Sequence, residues 1–324
     1  MSIAEIEKLL DKTEAKFAKA FREYIKGLKS AAQLKIVMQY LENNDIEGLV
    51  KHFNNSKKPF ASIIAAAMLE TGYMETASLQ PKIKRYLDRK TPPGLRSPVV
   101  GIEFQISNER AAQILREQTA TLITQINETQ RQVIYATLAD AQIEGKHPRD
   151  IGRAIVNNIG LTTRQEAAVK NYERLLRAGS KEALTRDLRD RRSDSKIRRG
   201  AALDESQIQR MVISYRNRYE KYRGDMIART ESHKAVNQAQ QEALRQSIEQ
   251  AGINPNDVKQ QWRSTRDKRT RDSHDAINGQ KQKLGQPFVT PSGAKLMHPS
   301  DTSLGAPASE VIQCRCTTNT IFKD

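Results

Sequence analysis

Residues 310–322 read EVIQCRCTTNTIF and contain Cys314 and Cys316, the only two cysteines among 324 residues. The β-branched alternation predicts a strand, in which side chains two apart point to the same face from Cα atoms about 6–7 Å apart. A disulfide requires Cβ atoms about 3.8 Å apart, so a bridge between these two cysteines would need distortion. Two interpretations fit better: thiolates that bind one tetrahedral metal ion, or two inert buried thiols.

The surroundings of this stretch favour the metal. His274 and His298 lie in the same part of the chain, and Asp267 precedes His274 by seven residues. One histidine and one aspartate, or both histidines, would complete four ligands for a structural zinc ion. The preferred set is Asp267, His274, Cys314 and Cys316, with His298 or Asp301 as alternatives to Asp267. Structural zinc contributes about 10–16 kcal/mol in small fingers, so the metal would decide whether this module folds.

Upstream of the cysteines the pattern predicts a small α+β module over residues 258–324. VKQQWRST is typical of a strand, and PFVTPSGAKLM is typical of a hairpin around Pro-Ser-Gly.

The rest of the chain predicts helices. Apolar residues recur at helical spacing near the N-terminus: Ile3, Ile6, Leu10, Phe17, Phe21, Tyr24 and Leu28. We expect a helical N-terminal region over residues 1–90, a linker over 91–106 that contains three prolines, and a long-helix central region over 107–257. The fold class is therefore mainly α with a small C-terminal α+β module, and the helical regions are expected to be elongated.

A helix–turn–helix arrangement is predicted around Gly160, with Thr163 and Glu166 as a capping box for the second helix. The arrangement is compatible with a DNA-reading motif, but two packed helices are far more common. We expect the packed hairpin.

The net charge of +16 and the pI of about 9.8 predict a polyanionic partner, with nucleic acid as the leading candidate. The predicted phosphate contacts lie in one charge-dense run: Arg186, Arg189, Arg191, Arg192, Lys196, Arg198 and Arg199. A solvated loop or helix face is the competing interpretation. With no secretion pattern, no span-length apolar run and two cysteines, we expect a soluble product of a reducing compartment and no membrane partner.

The order of motifs resembles the phage Mu F-like head morphogenesis family, the minor head proteins of tailed bacteriophages. The similar elements are MIARTES, QQWRST, DKRTRDSH, ING, HPSD and CRC, preceded by helical sequence from about Ser107 onward. The resemblance covers Ser107 to the end. It assigns the family's Asp, His and paired Cys positions to Asp267, His274, Cys314 and Cys316, and the helix motif to Arg229, Thr230 and Glu231.

The resemblance implies a structural virion protein rather than an enzyme. It would bind the portal inside the head at low copy, in a possible ring, and would act in head assembly and in DNA packaging or delivery. The implied partners are the portal protein, the major capsid or scaffold proteins and phage double-stranded DNA. The implied localisation is the virion, at the portal vertex, and the host cytoplasm during assembly. We expect Arg229 and Glu231 to form a charge-assisted pair that holds the long helix to the C-terminal module.

Two other classes of function remain. A metal-dependent nuclease would use His274 as base and Asn278 as its orienter, and would require an open coordination position. A sequence-specific DNA-binding regulator would use the turn at Gly160.

Overall fold

The computed structural model describes residues 1–54 and 59–323, and over them the predicted fold class is confirmed. The α-helices, in chain order, are α1 Ile3–Leu28, α2 Ala31–Glu42, α3 Ile46–Asn54, α4 Phe60–Lys90, α5 Glu109–Ile143, α6 Pro148–Asn158, α7 Thr163–Arg177, α8 Asp194–Arg198, α9 Glu205–Gln250, α10 Asp272–Ala276 and α11 Ala308–Val311. The strands are β1 Val258–Arg263, β2 Lys281–Lys283, β3 Phe288–Val289, β4 Lys295–Leu296 and β5 Thr317–Phe322. Within the described part, none of the helices combines the length and apolarity that a bilayer crossing requires.

Tertiary contacts divide the chain into two compact units, each assembled from separate stretches. Unit 1 is Met1–Phe17, Phe60–Ala120 and Met226–Asp324, and unit 2 is Ala18–Pro59 and Thr121–Asp225. The predicted regions 1–90, 107–257 and 258–324 are contiguous, so their limits differ from those of the two units. That these regions are independent domains stays a prediction. The linker 91–106 contains neither helix nor strand, as its prolines predict.

The N-terminal helix α1 follows its apolar stripe. Ser2 and Glu5 form a capping box: the amide of Glu5 donates to Oγ of Ser2 at 3.2 Å, and the amide of Ser2 donates to Glu5 at 2.8 Å. Within unit 1 the buried residues Ile6, Leu9 and Leu10 of α1 pack with Val236 of α9. The predicted helical face is therefore the buried one, except that Ile3 is exposed.

The turn between α6 and α7 belongs to the core of unit 2. Its capping box is formed by Thr162 and Gln165, one residue before the predicted Thr163 and Glu166, and Glu166 is buried instead. Gly160 adopts φ +97°, and its carbonyl accepts a 2.7 Å hydrogen bond from the buried Arg223 of α9. The structure thus has the packed hairpin, with its turn covered by the unit's own residues.

The C-terminal module contains a three-stranded antiparallel sheet in the order β2-β1-β5. Lys259 of β1 lies opposite Lys283 of β2, and Trp262 lies opposite Thr318 of β5. The alternating residues Val258, Gln260 and Trp262 are buried, as the pleat of a strand covered on one face requires.

The predicted hairpin is present as β3 and β4, closed by Gly293 at φ +82°. Beneath the sheet and the hairpin lies an apolar core that includes both cysteines. Its buried members are Trp262, Ile277, Phe288, Leu296, Val311, Cys314 and Cys316.

The long helix α9 contacts the C-terminal module through Thr230, whose Oγ1 accepts a 3.1 Å hydrogen bond from the amide of Gln313. The expected pair between Arg229 and Glu231 is absent. Nε of Arg229 instead lies 3.3 Å from the carboxylate of Glu14 in α1. The side-chain amide of Gln118 donates to the carboxylate of the buried Glu231 at 3.0 Å. Residues two apart on a helix do not face each other, which explains why the pair is not formed.

Candidate metal centre

His274, Cys314 and Cys316 meet at one buried point. Nδ1 of His274 lies 3.5 Å from the Sγ of Cys314 and 3.5 Å from that of Cys316, and the three ligand atoms all lie within 4.8 Å of one another. Each residue is at most 3% exposed. Both cysteines are free, so the disulfide that strand geometry disfavoured is not formed.

Short elements on either side of the centre place these residues. The helix α10 carries His274 on its buried side, directly after the loop that follows β1. The cysteines follow α11 and precede β5, so the prediction that CRC lies inside a strand was wrong. Gln313 turns the chain with φ +57°, and the hydrogen bond from its amide to Thr230 fixes that turn against α9.

The interatomic distances fit a metal ion. Tetrahedral zinc with bonds of about 2.3 Å to sulfur and about 2.0–2.1 Å to nitrogen holds its ligand atoms about 3.5–3.8 Å apart. The 3.5 Å between nitrogen and each sulfur agrees with that spacing. The three residues as placed could therefore hold a metal ion.

The sulfurs have opposite electrostatic preferences. The hydrogen bond with Cys316 lowers the pKa of Cys314 well below its ordinary value, against the effect of burial, and His274 acts in the same direction. The hydrogen bond with Cys314, together with burial, raises the pKa of Cys316. Without a metal, the pair therefore favours one thiolate and one thiol that share a proton. A divalent cation would displace that proton and bind both sulfurs as thiolates.

Glu310 of α11 supports the histidine. Its Oε2 lies 3.1 Å from Nε2 of His274, and its two carboxylate oxygens accept hydrogen bonds from Ser273 at 2.8 Å and from Ser292 at 2.9 Å. As placed, the contact lacks hydrogen-bond geometry at Nε2. A carboxylate on this side of the ring nevertheless favours a proton on Nε2, which leaves the lone pair of Nδ1 for a metal. Sequence reasoning missed Glu310. Its position at the head of EVIQCRC gave no indication that it lies against His274.

Asp267 is not brought into this group. It is exposed, and its carboxylate accepts a 2.6 Å hydrogen bond from Nη1 of Arg315, the residue between the two cysteines. The hydrogen bond from the Arg315 guanidinium is the main reason why the pKa of Asp267 lies far below its ordinary value. Since Thr265 also donates to the carbonyl of Arg315 at 3.0 Å, this side of the loop is attached to CRC by direct contacts.

Of the two alternative fourth ligands, His298 has the more suitable chemistry. It is 5% exposed, its Nδ1 lies 2.8 Å from the carbonyl of Pro299, and burial lowers its pKa. Like Asp267, it lies outside the group of three as placed, and its Nε2 lies 3.9 Å from Oδ1 of Asp301. A proton on Nδ1 leaves Nε2 as the ligand atom. The carboxylate of Asp301 instead accepts hydrogen bonds from the amides of Met297 and Ser303, both at 2.8 Å.

Asn278, the residue predicted to orient His274 in a nuclease, holds the backbone of a neighbouring segment. The side-chain oxygen of Asn278 accepts a 2.9 Å hydrogen bond from the amide of Ser264. A cavity of about 310 Å³ lies beside the centre and is lined by Thr265, Arg315 and Thr317, but by none of the three ligand residues.

The predicted nucleic-acid segment is folded: it contains the short helix α8 with turns on either side. Arg189 is bound to Asp194 at 2.9 Å with little exposure of either side chain, and Arg186 lies 2.8 Å from Glu182. Arg192 donates to Asp190, which lowers the pKa of that carboxyl to about 2. Arg198 lies 3.9 Å from Asp194, and Arg199 donates to a backbone carbonyl. The other members of the predicted set are Arg191 and Lys196. Phosphate contact by this segment stays a prediction.

Residues 172–319 match the family model described as Phage Mu protein F like protein. The matched stretch includes the basic segment, the Arg229–Glu231 motif and all three residues of the metal group. Over these residues the resemblance inferred from the sequence is confirmed, and this part of the chain is similar to the phage Mu F-like family. For residues 107–171 the resemblance stays a prediction. No curated protein and no solved structure matches the chain.

Proposed function

We propose that the protein is a structural minor head protein of a tailed phage, with a C-terminal module held together by one structural zinc ion. The family match over residues 172–319 is the observation that carries the assignment to the phage head. In this proposal the protein binds the portal and neighbouring capsid or scaffold proteins at low copy, inside the head. It acts there in head assembly and in the packaging or delivery of double-stranded DNA.

The geometry supports a structural role for the metal. The ligand residues are almost completely buried, and the cavity beside them is lined by other side chains. Catalytic zinc needs a coordination position that water and substrate can reach. His274, Cys314 and Cys316 would hold the ion, Glu310 would orient His274, and His298 replaces Asp267 as the proposed fourth ligand.

Zinc suits this donor set. Two thiolates and imidazole nitrogen are the ligands of structural zinc sites, and such a site links chain segments that a small core holds only weakly. Here the ion would join α10 to the turn before β5, forty residues apart along the chain. It would thereby fix the strand that closes the sheet.

The phage itself provides the test of the assignment to the head. We expect mass spectrometry to find the protein in purified heads, and to find it depleted from heads assembled without a portal protein. A protein that is absent from complete heads, although present in the infected cell, would contradict the proposal.

A further inference from the structure

The three-stranded sheet of the C-terminal module has an open face whose charge is uniformly positive. The open face comprises the side chains that alternate with the buried ones: Lys259, Gln261 and Arg263 of β1, Lys281 and Lys283 of β2, and Asn319 and Ile321 of β5. Thr317, which lies opposite Arg263 at one end of this face, is buried and donates to Gln240 of α9. Lys259, Lys281 and Lys283 are exposed. The three strands contain four cationic residues and no Asp or Glu.

The register brings these charges together. Lys259 lies directly opposite Lys283, and Gln261 lies opposite Lys281. Opposed side chains have Cβ atoms about 4.5–5.5 Å apart, and neighbours on the same strand face are about 6–7 Å apart. Like charges directly opposite each other destabilise a strand pair, so the arrangement needs a reason outside the sheet.

The cations of the open face have no ion-pair partner among the described residues, although Arg263 lines a cavity together with Glu7, Asp11 and Glu14 of α1. Among residues 1–54 and 59–323, none of Lys259, Arg263, Lys281 and Lys283 forms a salt bridge. Lys82 of α4 adds another amine at the edge of the sheet, 3.4 Å from the side chain of Asn319. This contrasts with the segment 186–199, in which several arginines have internal carboxylate partners.

The face also lacks what a single-strand reader needs. Trp262 and Phe322, the aromatic residues of β1 and β5, lie on the opposite face and are buried. Proteins that bind single strands combine cations with aromatic rings on which bases stack. A flat cationic surface without rings matches phosphates alone, which a duplex presents on its outside.

We propose that the open face binds the phosphate backbone of double-stranded DNA without sequence preference. The proposal rests on the proposed function, since a head protein is exposed to packaged DNA, and it adds a surface distinct from residues 186–199. Binding needs no metal at this face, but it requires the sheet that the metal centre helps to close.

The test uses the full chain and a labelled duplex of mixed sequence. The sheet variant combines Lys259→Gln, Lys281→Gln and Lys283→Gln, and a charge-matched control combines Lys8→Gln, Lys16→Gln and Lys35→Gln at exposed helix positions. Each lost phosphate contact reduces the magnitude of the slope of log K against log salt by about one. We therefore expect the slope of the sheet variant to be smaller in magnitude by about three. At about 100 mM salt this corresponds to an affinity at least about tenfold weaker, with a smaller loss in the control.

A variant with Lys259→Arg, Lys281→Arg and Lys283→Arg keeps the charge and is expected to bind like the wild type. Equal losses in the sheet variant and the control would overturn the proposal. So would tighter binding to a single strand of the same sequence, or equal competition by polyglutamate, which would indicate an acidic protein partner. These failures leave the proposed function standing, because its own test is the presence of the protein in heads.

Discussion

Nδ1 of His274 lies 3.5 Å from Sγ of Cys314, a residue forty positions further along the chain, and both side chains are 1% exposed. This contact joins the helix α10 to the turn that precedes the closing strand of the sheet. Because Cys316 is equally close to the same nitrogen, three ligand atoms surround one point.

The fourth ligand can be identified by exchanging single residues. We expect Asp267→Asn to retain its zinc, because the carboxylate of Asp267 is engaged by Arg315 outside the ligand group. We expect His298→Ala to bind zinc at least about tenfold more weakly, since a lost ligand or its support typically changes affinity by that order. Competition with a chromogenic chelator measures both. Loss of metal from Asp267→Asn with normal binding by His298→Ala would restore Asp267 as the ligand.

The contact between α9 and the turn before CRC has a matched pair of variants. Thr230→Val removes the hydroxyl that accepts from the amide of Gln313, and we expect a loss of about 1 kcal/mol in the free energy of unfolding. Thr230→Ser keeps the hydroxyl and is expected to lose less. Hydrogen exchange at the amide of Gln313 should accelerate in the valine variant alone. Equal protection in both variants would show that the hydrogen bond does not hold the turn.

The buried Glu231 predicts a dependence of stability on pH. Burial, the largest cause, raises the pKa of Glu231 above its ordinary 4.5. The folded state therefore binds this proton more tightly than the unfolded state, and its contribution to stability is greatest below about pH 4.5 and decreases as pH rises through the folded-state pKa.

Glu231→Gln removes this titration while keeping an acceptor for Gln118. We expect the variant to gain stability relative to the wild type as pH rises from about 4.5 towards neutrality. Urea unfolding at several pH values measures the difference. A difference that is constant across that range would contradict a raised pKa.

The turn at Gly160 is predicted to be intolerant of a side chain. A Cβ there would lie 2.8 Å from Cγ2 of Ile25, and the φ of +97° disfavours any L-residue. Gly179 has φ +59° with nothing within 4 Å of its Cβ position, so Gly179→Ala reports the backbone strain alone. We expect the free energy of unfolding of Gly160→Ala to be about 1–3 kcal/mol lower than that of Gly179→Ala, as measured by chemical denaturation. Equal losses would show that the turn has room.

Periodicity and local turn chemistry were readable from the sequence. The apolar stripe of α1, the strand VKQQWR and the hairpin around Gly293 all depend on neighbours within a few residues, and all are confirmed. The capping box was misplaced by one residue because Thr162 and Thr163 are equally good caps, and the hydrogen bond to Gln165 decides between them.

Pairings across the chain were not readable. Asp267 has a ligand's chemistry, but Arg315 lies within reach of its carboxylate, and spacing alone does not reveal that contact. Glu310 contacts His274 and also accepts from Ser273, 37 residues earlier in the chain, so no local pattern indicates the contact. Both units also combine distant stretches, which follows from packing between helices rather than from any boundary signal.

Metal analysis of the full chain tests directly whether His274, Cys314 and Cys316 hold a zinc ion. We expect about one equivalent of zinc per chain in the wild type and in Asp267→Asn, and none in Cys314→Ser combined with Cys316→Ser. The double variant should also become sensitive to proteases beyond Val258, because the ion no longer joins α10 to the turn before β5. A wild-type protein that is purified without any metal and still resists proteases beyond Val258, with the double variant equally resistant, would contradict a structural zinc ion at this centre.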